Sequence, residues 1–109
     1  MVILLDYKYV RAMFLIYDTE TTGLPKNWNA PLTDSENWPR IVQLAWQLHD
    51  ENGTLLSRGN RIVKPDGFTI PFQSMKVHGI TTEIAQAEGM PLAEVIEEFN
   101  KDRVRATYV

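Results

Sequence analysis

The sequence predicts an α/β fold: a three-strand antiparallel meander, then helices, then the first residues of a further strand. Three observations point to it. An unbroken apolar run, Phe14-Leu15-Ile16-Tyr17, ends abruptly at an acid. From Ile41 to Leu48, apolar side chains alternate with Gln43, Ala45 and Gln47, the period-two signature of a strand. Leu92, Val95, Ile96 and Phe99 fall at i, i+3, i+4 and i+7, the apolar stripe of an amphipathic helix.

Taken in order, Met13 opens the first element, and residues 1–12 read as a tag, an upstream extension or a mistaken start. The run 14–17 predicts a short strand buried on both faces, hence central in its sheet. Residues 23–40 carry Gly23, Pro25, Pro31, Pro39 and two tryptophans and predict a long loop. Loops above about 12–15 residues in a compact domain are usually functional or mobile. Trp28 and Trp38 in this loop are expected to pin it to its own domain rather than stack on bases. The second strand, 41–48, buries Val42, Leu44, Trp46 and Leu48 and ends near an exposed His49. Asn52-Gly53 is a hairpin signal, so Thr54 to Val63 returns as the third strand, weakened by Gly59.

Pro65-Asp66-Gly67 and Pro71 break the chain, and 73–78 predict a helical turn. Thr81 is placed to cap a helix over Thr82 to Ala87, which Gly89 ends. Pro91 starts the amphipathic helix at its first position, with Glu97 and Lys101 paired on its outer side. Val104 to Val109 reads as the start of another strand.

Bulk properties narrow the function. A chain of 109 residues holds at most one small domain. Its net charge of −3 excludes nucleic-acid binding by overall charge alone, so such a role requires metal ions, stacking or a local basic patch. With no cysteine, disulfides, thiolate zinc sites and cysteine nucleophiles are excluded, and a reducing, cytoplasmic setting is expected. No apolar run approaches the ~20 residues of a membrane span, and no signal peptide is legible.

The chemistry concentrates at Asp18 and Glu20. In extended backbone, residues i and i+2 share a face, so both carboxylates converge where the strand ends. Two like charges held there repel unless a cation lies between them. Oxygen donors of this kind suit magnesium or manganese. Asp-x-Glu alone is common at solvated strand ends. The apolar run before it and Thr21-Thr22-Gly23 after it single this pair out.

Tyr17-Asp18-Thr19-Glu20-Thr21-Thr22-Gly23 resembles the first exonuclease motif of the DEDD-type 3′–5′ exonucleases, the family of the bacterial DNA polymerase III epsilon-type subunit and ribonuclease T. Ile62-Val63-Lys64-Pro65 and Val77-His78-Gly79-Ile80-Thr81 resemble, in order and spacing, the stretch that follows that family's meander. The resemblance implies an RNase H-like fold with a mixed central sheet over residues 13–109. It implies hydrolysis of DNA or RNA from the 3′ end with two divalent ions, magnesium or manganese. The match to Asp18 bridges both ions, and the match to Glu20 binds one. Thr21, Thr22, Leu24, Val77 and His78 match positions lying against the 3′-terminal nucleotide. On the residues alone, His78 reads as a turn-capping group. Single-stranded or 3′-terminal DNA or RNA is the implied partner, with DNA polymerase subunits if the role is proofreading in DNA replication.

The family's later acids and its general-base histidine find no match. Phe99-Asn100-Lys101-Asp102 has the letters of the second motif but falls on the helix before the strand, so Asp102 is expected at the surface. The sequence therefore reads as a truncated exonuclease domain. The alternative reading is a non-catalytic fragment that binds metal or a partner and cleaves nothing.

Overall fold

A computed structural model describes residues 11–109; the extension read at residues 1–12 lies, up to residue 10, outside the described residues. Three strands, β1 (Met13–Thr21), β2 (Ile41–Asp50) and β3 (Leu55–Ile62), form an antiparallel sheet in the order β1-β2-β3. Three helices follow: α1 (Phe72–His78), α2 (Thr82–Glu88) and α3 (Leu92–Arg103).

The alternation in β2 decides which side of the sheet is covered. Val42, Leu44, Trp46 and Leu48 are all buried, as the period of two predicts. Leu44, Trp46 and Leu48 join Leu15, Val63 and Val95 in one core, with Ile96 and Phe99 of α3 packed against it. Val42 joins Ile70, Ile80 and Ala85 in a second cluster beneath α2. The hairpin forms where Asn52-Gly53 placed it. The Asp50 carboxylate accepts the N–H groups of Asn52 and Thr54, both at 2.9 Å, and closes the turn. His49 is half-buried rather than exposed, because its ring bridges the Gly53 carbonyl and the Gln47 side chain.

Gly59 is a fitted position rather than a weak point in β3. A Cβ there would lie 2.1 Å from the Trp46 ring, which crosses directly over it. The ring has little room to give, since Phe99 meets it edge-on with centroids 5.5 Å apart. Gly59→Ala is expected to cost about 1–3 kcal/mol, as overpacking does. Urea denaturation measures this, and an unchanged midpoint would refute the ring placement.

Strand β1 corrects the expectation of a strand buried on both faces. Only Leu15 is buried, while Ile16 is 65% and Tyr17 52% exposed. Its odd-numbered side chains face the core under α3, and among the described residues no helix covers the other face. β1 also ends the three-strand order. On its free side, Leu15 N–H donates to the Tyr108 carbonyl and Thr107 N–H to the Met13 carbonyl, both at 2.8 Å. That contact is a single parallel bridge, Phe14 to Tyr108, so Val104–Val109 does not form the strand read there, and the named sheet is antiparallel throughout.

The helices follow their signals closely. Thr81 Oγ1 accepts the Ile84 N–H at 3.0 Å, so α2 is capped as read. Gly89 ends α2, and a Cβ there would meet the Ala85 carbonyl and the Lys64 backbone. Pro91 is the residue before α3 rather than its first, with φ −53° and ψ 140°. Among the described residues Glu97 and Lys101 form no ion pair. Glu98 of α3 instead reaches Arg61 of β3 at 2.8 Å, because the sheet presents a cation on that flank.

Asp102 is the largest departure. It is 8% exposed, not a surface residue. Its Oδ2 accepts both the Trp46 indole N–H (2.8 Å) and the Ser57 hydroxyl (2.7 Å). The carboxylate therefore ties α3 to β2 and β3 at once. No helix among the described residues is long and apolar enough to cross a membrane.

Candidate active site

The candidate residues gather where β1 ends. Asp18 pairs with Ala45 and Glu20 with Gln43, so both acids stand on the same face of the sheet, opposite the α3 core. The register slips between Glu20 and Thr21, which marks the end of regular pairing just past the second acid. Asp18 is exposed and borders an open groove with Ile16, Ala45, Asn60 and Arg58. One of its oxygens accepts the Thr19 N–H at 2.9 Å. Glu20 is half-buried and lines a different recess.

That recess, about 350 Å³, is bounded by the turn after β1 and by α1. Thr21, Thr22, Leu24, Val77 and His78 all line it beside Glu20. All five positions that the sequence nominated for a terminal nucleotide are thus brought together with one acid, while Asp18 stands next to the recess rather than in it.

Backbone and side chains fix this turn. Gly23 has φ +145°, a region that strains other residues. Thr21 Oγ1 donates to the Gly23 carbonyl at 2.9 Å. Thr22 is held from two sides: its N–H donates to the Arg40 carbonyl (3.0 Å), and its own carbonyl accepts the Ser74 hydroxyl (2.6 Å). Ser74 thus clamps α1 to the site turn. A serine inside a short helix gave no sign of this in the sequence. Leu24 and Val77 are 80% and 83% exposed, so the mouth of the recess carries two unpartnered apolar side chains.

His78 plays the turn-capping part first read for it. Its Nδ1 accepts the Ile80 N–H at 3.1 Å. The other ring nitrogen, Nε2, is a buried atom without a hydrogen-bond partner among the described residues.

The long loop is ordered by its own contacts. Asn37 is buried, and its side-chain amide bonds both the N–H and the carbonyl of Asn27, at 2.7 and 2.9 Å. Trp38 donates to the Pro31 carbonyl at 2.8 Å and meets Trp28 edge-on. Trp38 therefore ties the loop to itself rather than to the rest of the domain, and Trp28 remains 70% exposed.

For a divalent cation, the donor set fits in kind. Asp18 and Glu20 offer hard oxygens on one face, and neither is tied in an ion pair among the described residues. Among those residues no third acid or histidine joins them in a metal-holding group.

No protein-family model and no curated protein matches the chain. Solved structures do. Escherichia coli exonuclease I in complex with a dA16 oligonucleotide aligns at TM-score 0.64 and 22% identity, over 83% of this chain and 18% of that one. The exonuclease I of an ExoI/SSB-Ct complex gives 0.64 and 22%, over 84% and 18%. A moderately thermophilic exonuclease I from Methylocaldum szegediense gives 0.65 and 20%, over 83% and 18%. The chain thus spans under a fifth of the length of these structures. Over most of its own length, it has the RNase H-like α/β fold of part of exonuclease I, a DEDD-type 3′–5′ exonuclease.

Proposed function

We propose that this chain provides the first acidic pair and the terminal-nucleotide recess of a metal-dependent 3′–5′ exonuclease acting on single-stranded DNA. The observation that carries the reading is the assembly of Glu20 with Thr21, Thr22, Leu24, Val77 and His78 around one recess. The neighbours of like fold include E. coli exonuclease I bound to oligonucleotides, which favours a single DNA strand as ligand over RNA. The named neighbours are exonuclease I structures rather than polymerase subunits, and this favours strand degradation over proofreading.

Asp18 and Glu20 would hold magnesium or manganese, which supplies an acidified water and charge neutralisation at the scissile phosphate. The chain's own residues position the strand. Leu24 and Val77 offer apolar contact to the terminal base or sugar. His78 holds the end of α1 against this wall, its Nδ1 accepting the Ile80 N–H. The Thr22 backbone, held by Arg40 and Ser74, keeps this wall in place without ligand.

A second reading is favoured for the 109 residues acting alone: binding without cleavage. Two carboxylates with no third acid or histidine grouped beside them among the described residues support weak metal binding more readily than turnover. A manganese titration followed by NMR, run beside a 5′-labelled single-strand digest, tests both. Paramagnetic broadening centred on residues 18–22 is expected, with no ladder of shortened products. Broadening centred on the acids of α3 instead would end the metal reading, and a ladder would restore full catalysis to this chain.

A further inference from the structure

A second recess opens at the same end of the sheet, and none of its lining residues lines the recess beside Glu20. It measures about 430 Å³ and lies between the first residue of β2, the segment after β3 and the start of α3. Arg40, Lys64, Asp66, Phe68 and Leu92 give it its character. The Arg40 guanidinium lies over the Phe68 ring, 5.4 Å from its centroid. Among the described residues neither Arg40 nor Lys64 has a carboxylate within 4.0 Å, although Asp66 borders the same space. Two unpaired cations face one acid here, in a chain whose net charge is −3. The wall also contains the opening of α3, where Pro91 offers no side-chain cap and Glu94 N–H is the first to bond back, to the Pro91 carbonyl at 3.0 Å. A local excess of positive charge beside an aromatic ring and an aliphatic side chain suits a phosphate ester that carries an apolar group.

Position argues for a polymer rather than a free anion. Arg40 is joined to Thr22 in both directions: Thr22 N–H donates to the Arg40 carbonyl at 3.0 Å, and Arg40 N–H donates to Thr22 Oγ1 at 2.9 Å. Thr22 lines the recess beside Glu20 and Arg40 lines the second, so this pairing sets the two recesses side by side. A ligand that fills both must repeat its phosphates, as a nucleic-acid strand does. We propose that the Arg40–Lys64–Phe68 recess holds an internal phosphodiester of the single DNA strand whose 3′ nucleotide occupies the Glu20 recess. The proposal rests on the exonuclease reading for the second half of that statement only. It supplies the local basic patch that the acidic composition calls for.

NMR on the 15N-labelled chain, without metal, separates the two halves. Two probes are titrated: thymidine 5′-monophosphate and a thymidine tetranucleotide. Both are expected to shift the amides of Thr21 and Thr22. Only the tetranucleotide is expected to shift Lys64, Phe68, Leu92 and Ala93. Arg40→Ala with Lys64→Ala should weaken the tetranucleotide several-fold, and each lost phosphate contact should lower the salt slope by about 0.7. Monophosphate binding should not change. Both side chains are exposed and the Arg40–Thr22 pairing is made by the backbone, so the spectrum of the double variant should otherwise match that of the parent.

The proposal falls if the tetranucleotide binds without moving Leu92 and Ala93, or if the double variant keeps parental affinity. It falls as well if the monophosphate fills this recess equally tightly, which would mark a site for free phosphate, or if the tetranucleotide does not bind at millimolar concentration. Shifts at Lys64 and Leu92 with Thr21 and Thr22 unmoved would keep this recess and end the 3′-terminal reading instead.

Discussion

Replacing Asp102 with alanine is expected to cost about 2–5 kcal/mol and to lower the melting temperature by about 8 °C or more. Each buried donor left without its acceptor costs about 1–3 kcal/mol, and two donors lose theirs here. In a domain of this size, about 1 kcal/mol moves the midpoint by 4–8 °C. The Trp46 indole carries the larger part, because the ring is buried and pressed between Gly59 and Phe99. Ser57 is half-buried, so its hydroxyl recovers part of its loss through water. The Arg105 contact at 3.5 Å is half exposed and contributes little. Asp102→Asn is the informative companion. Both strong bonds reach the single atom Oδ2, and an amide oxygen in that place accepts both. It should therefore retain most of the stability that alanine removes. Equal losses in the two variants would show that packing, not hydrogen bonding, holds α3 down.

The same carboxylate makes stability depend on acid. Burial pushes its pKa up, but the hydrogen bonds from Ser57 and Trp46, with the Arg105 charge, together bring it below its ordinary value of 3.8. A depressed folded-state pKa stabilises the fold above the unfolded value. That contribution disappears as pH falls through the folded one. Melting temperatures should hold near neutrality and fall below about pH 4, and fall less steeply in Asp102→Asn. Identical acid profiles for the two proteins would remove Asp102 from the account.

Asp102 also shows how legibility failed in this sequence. The amphipathic pattern, the hairpin and the cap at Thr81 rest on local rules, and all three are present in the structure. Asp102 lies seven residues after Val95 and three after Phe99, on the same stripe of α3. Its position signalled burial, while its charge argued for solvent. The charge was the poorer guide, because the compensating donors come from β2 and β3, 56 and 45 residues away. Gly59 misled in a similar way. It looks like a defect in a strand until the Trp46 ring is placed over it. The site divided along the same line. Residues 20–24 and 77–78, two short local motifs in the sequence, do meet at one recess. Ser74 and Arg40 were not legible, since each acts through a backbone contact made only after folding. The apolar run 14–17 overstated burial, because apolarity reports what a face can pack against and not whether helices cover it.

Asp18→Asn should reverse sign with metal. Without divalent ions, two carboxylates at i and i+2 sit about 7 Å apart along the strand and repel by about 0.6 kcal/mol in water. Removing one charge relieves that repulsion. An amide oxygen can still accept the Thr19 N–H that Asp18 accepts now. The metal-free variant should therefore be as stable as the parent or slightly more so. With manganese present, the order should invert. The parent gains about 1.4 kcal/mol at ten times its Kd, or roughly 6–10 °C, because the ion binds the folded state. The variant, left with Glu20 alone, should bind at least tenfold more weakly and gain little. Glu20→Gln should behave alike, and in a protein that completes the exonuclease fold either change should lower hydrolysis by about 10²-fold or more. Differential scanning fluorimetry with and without manganese reads the inversion directly. A structural acid would destabilise on substitution in both conditions, and a merely solvated one would leave both unchanged. Only carboxylates that share a cation give a gain in its absence and a loss in its presence.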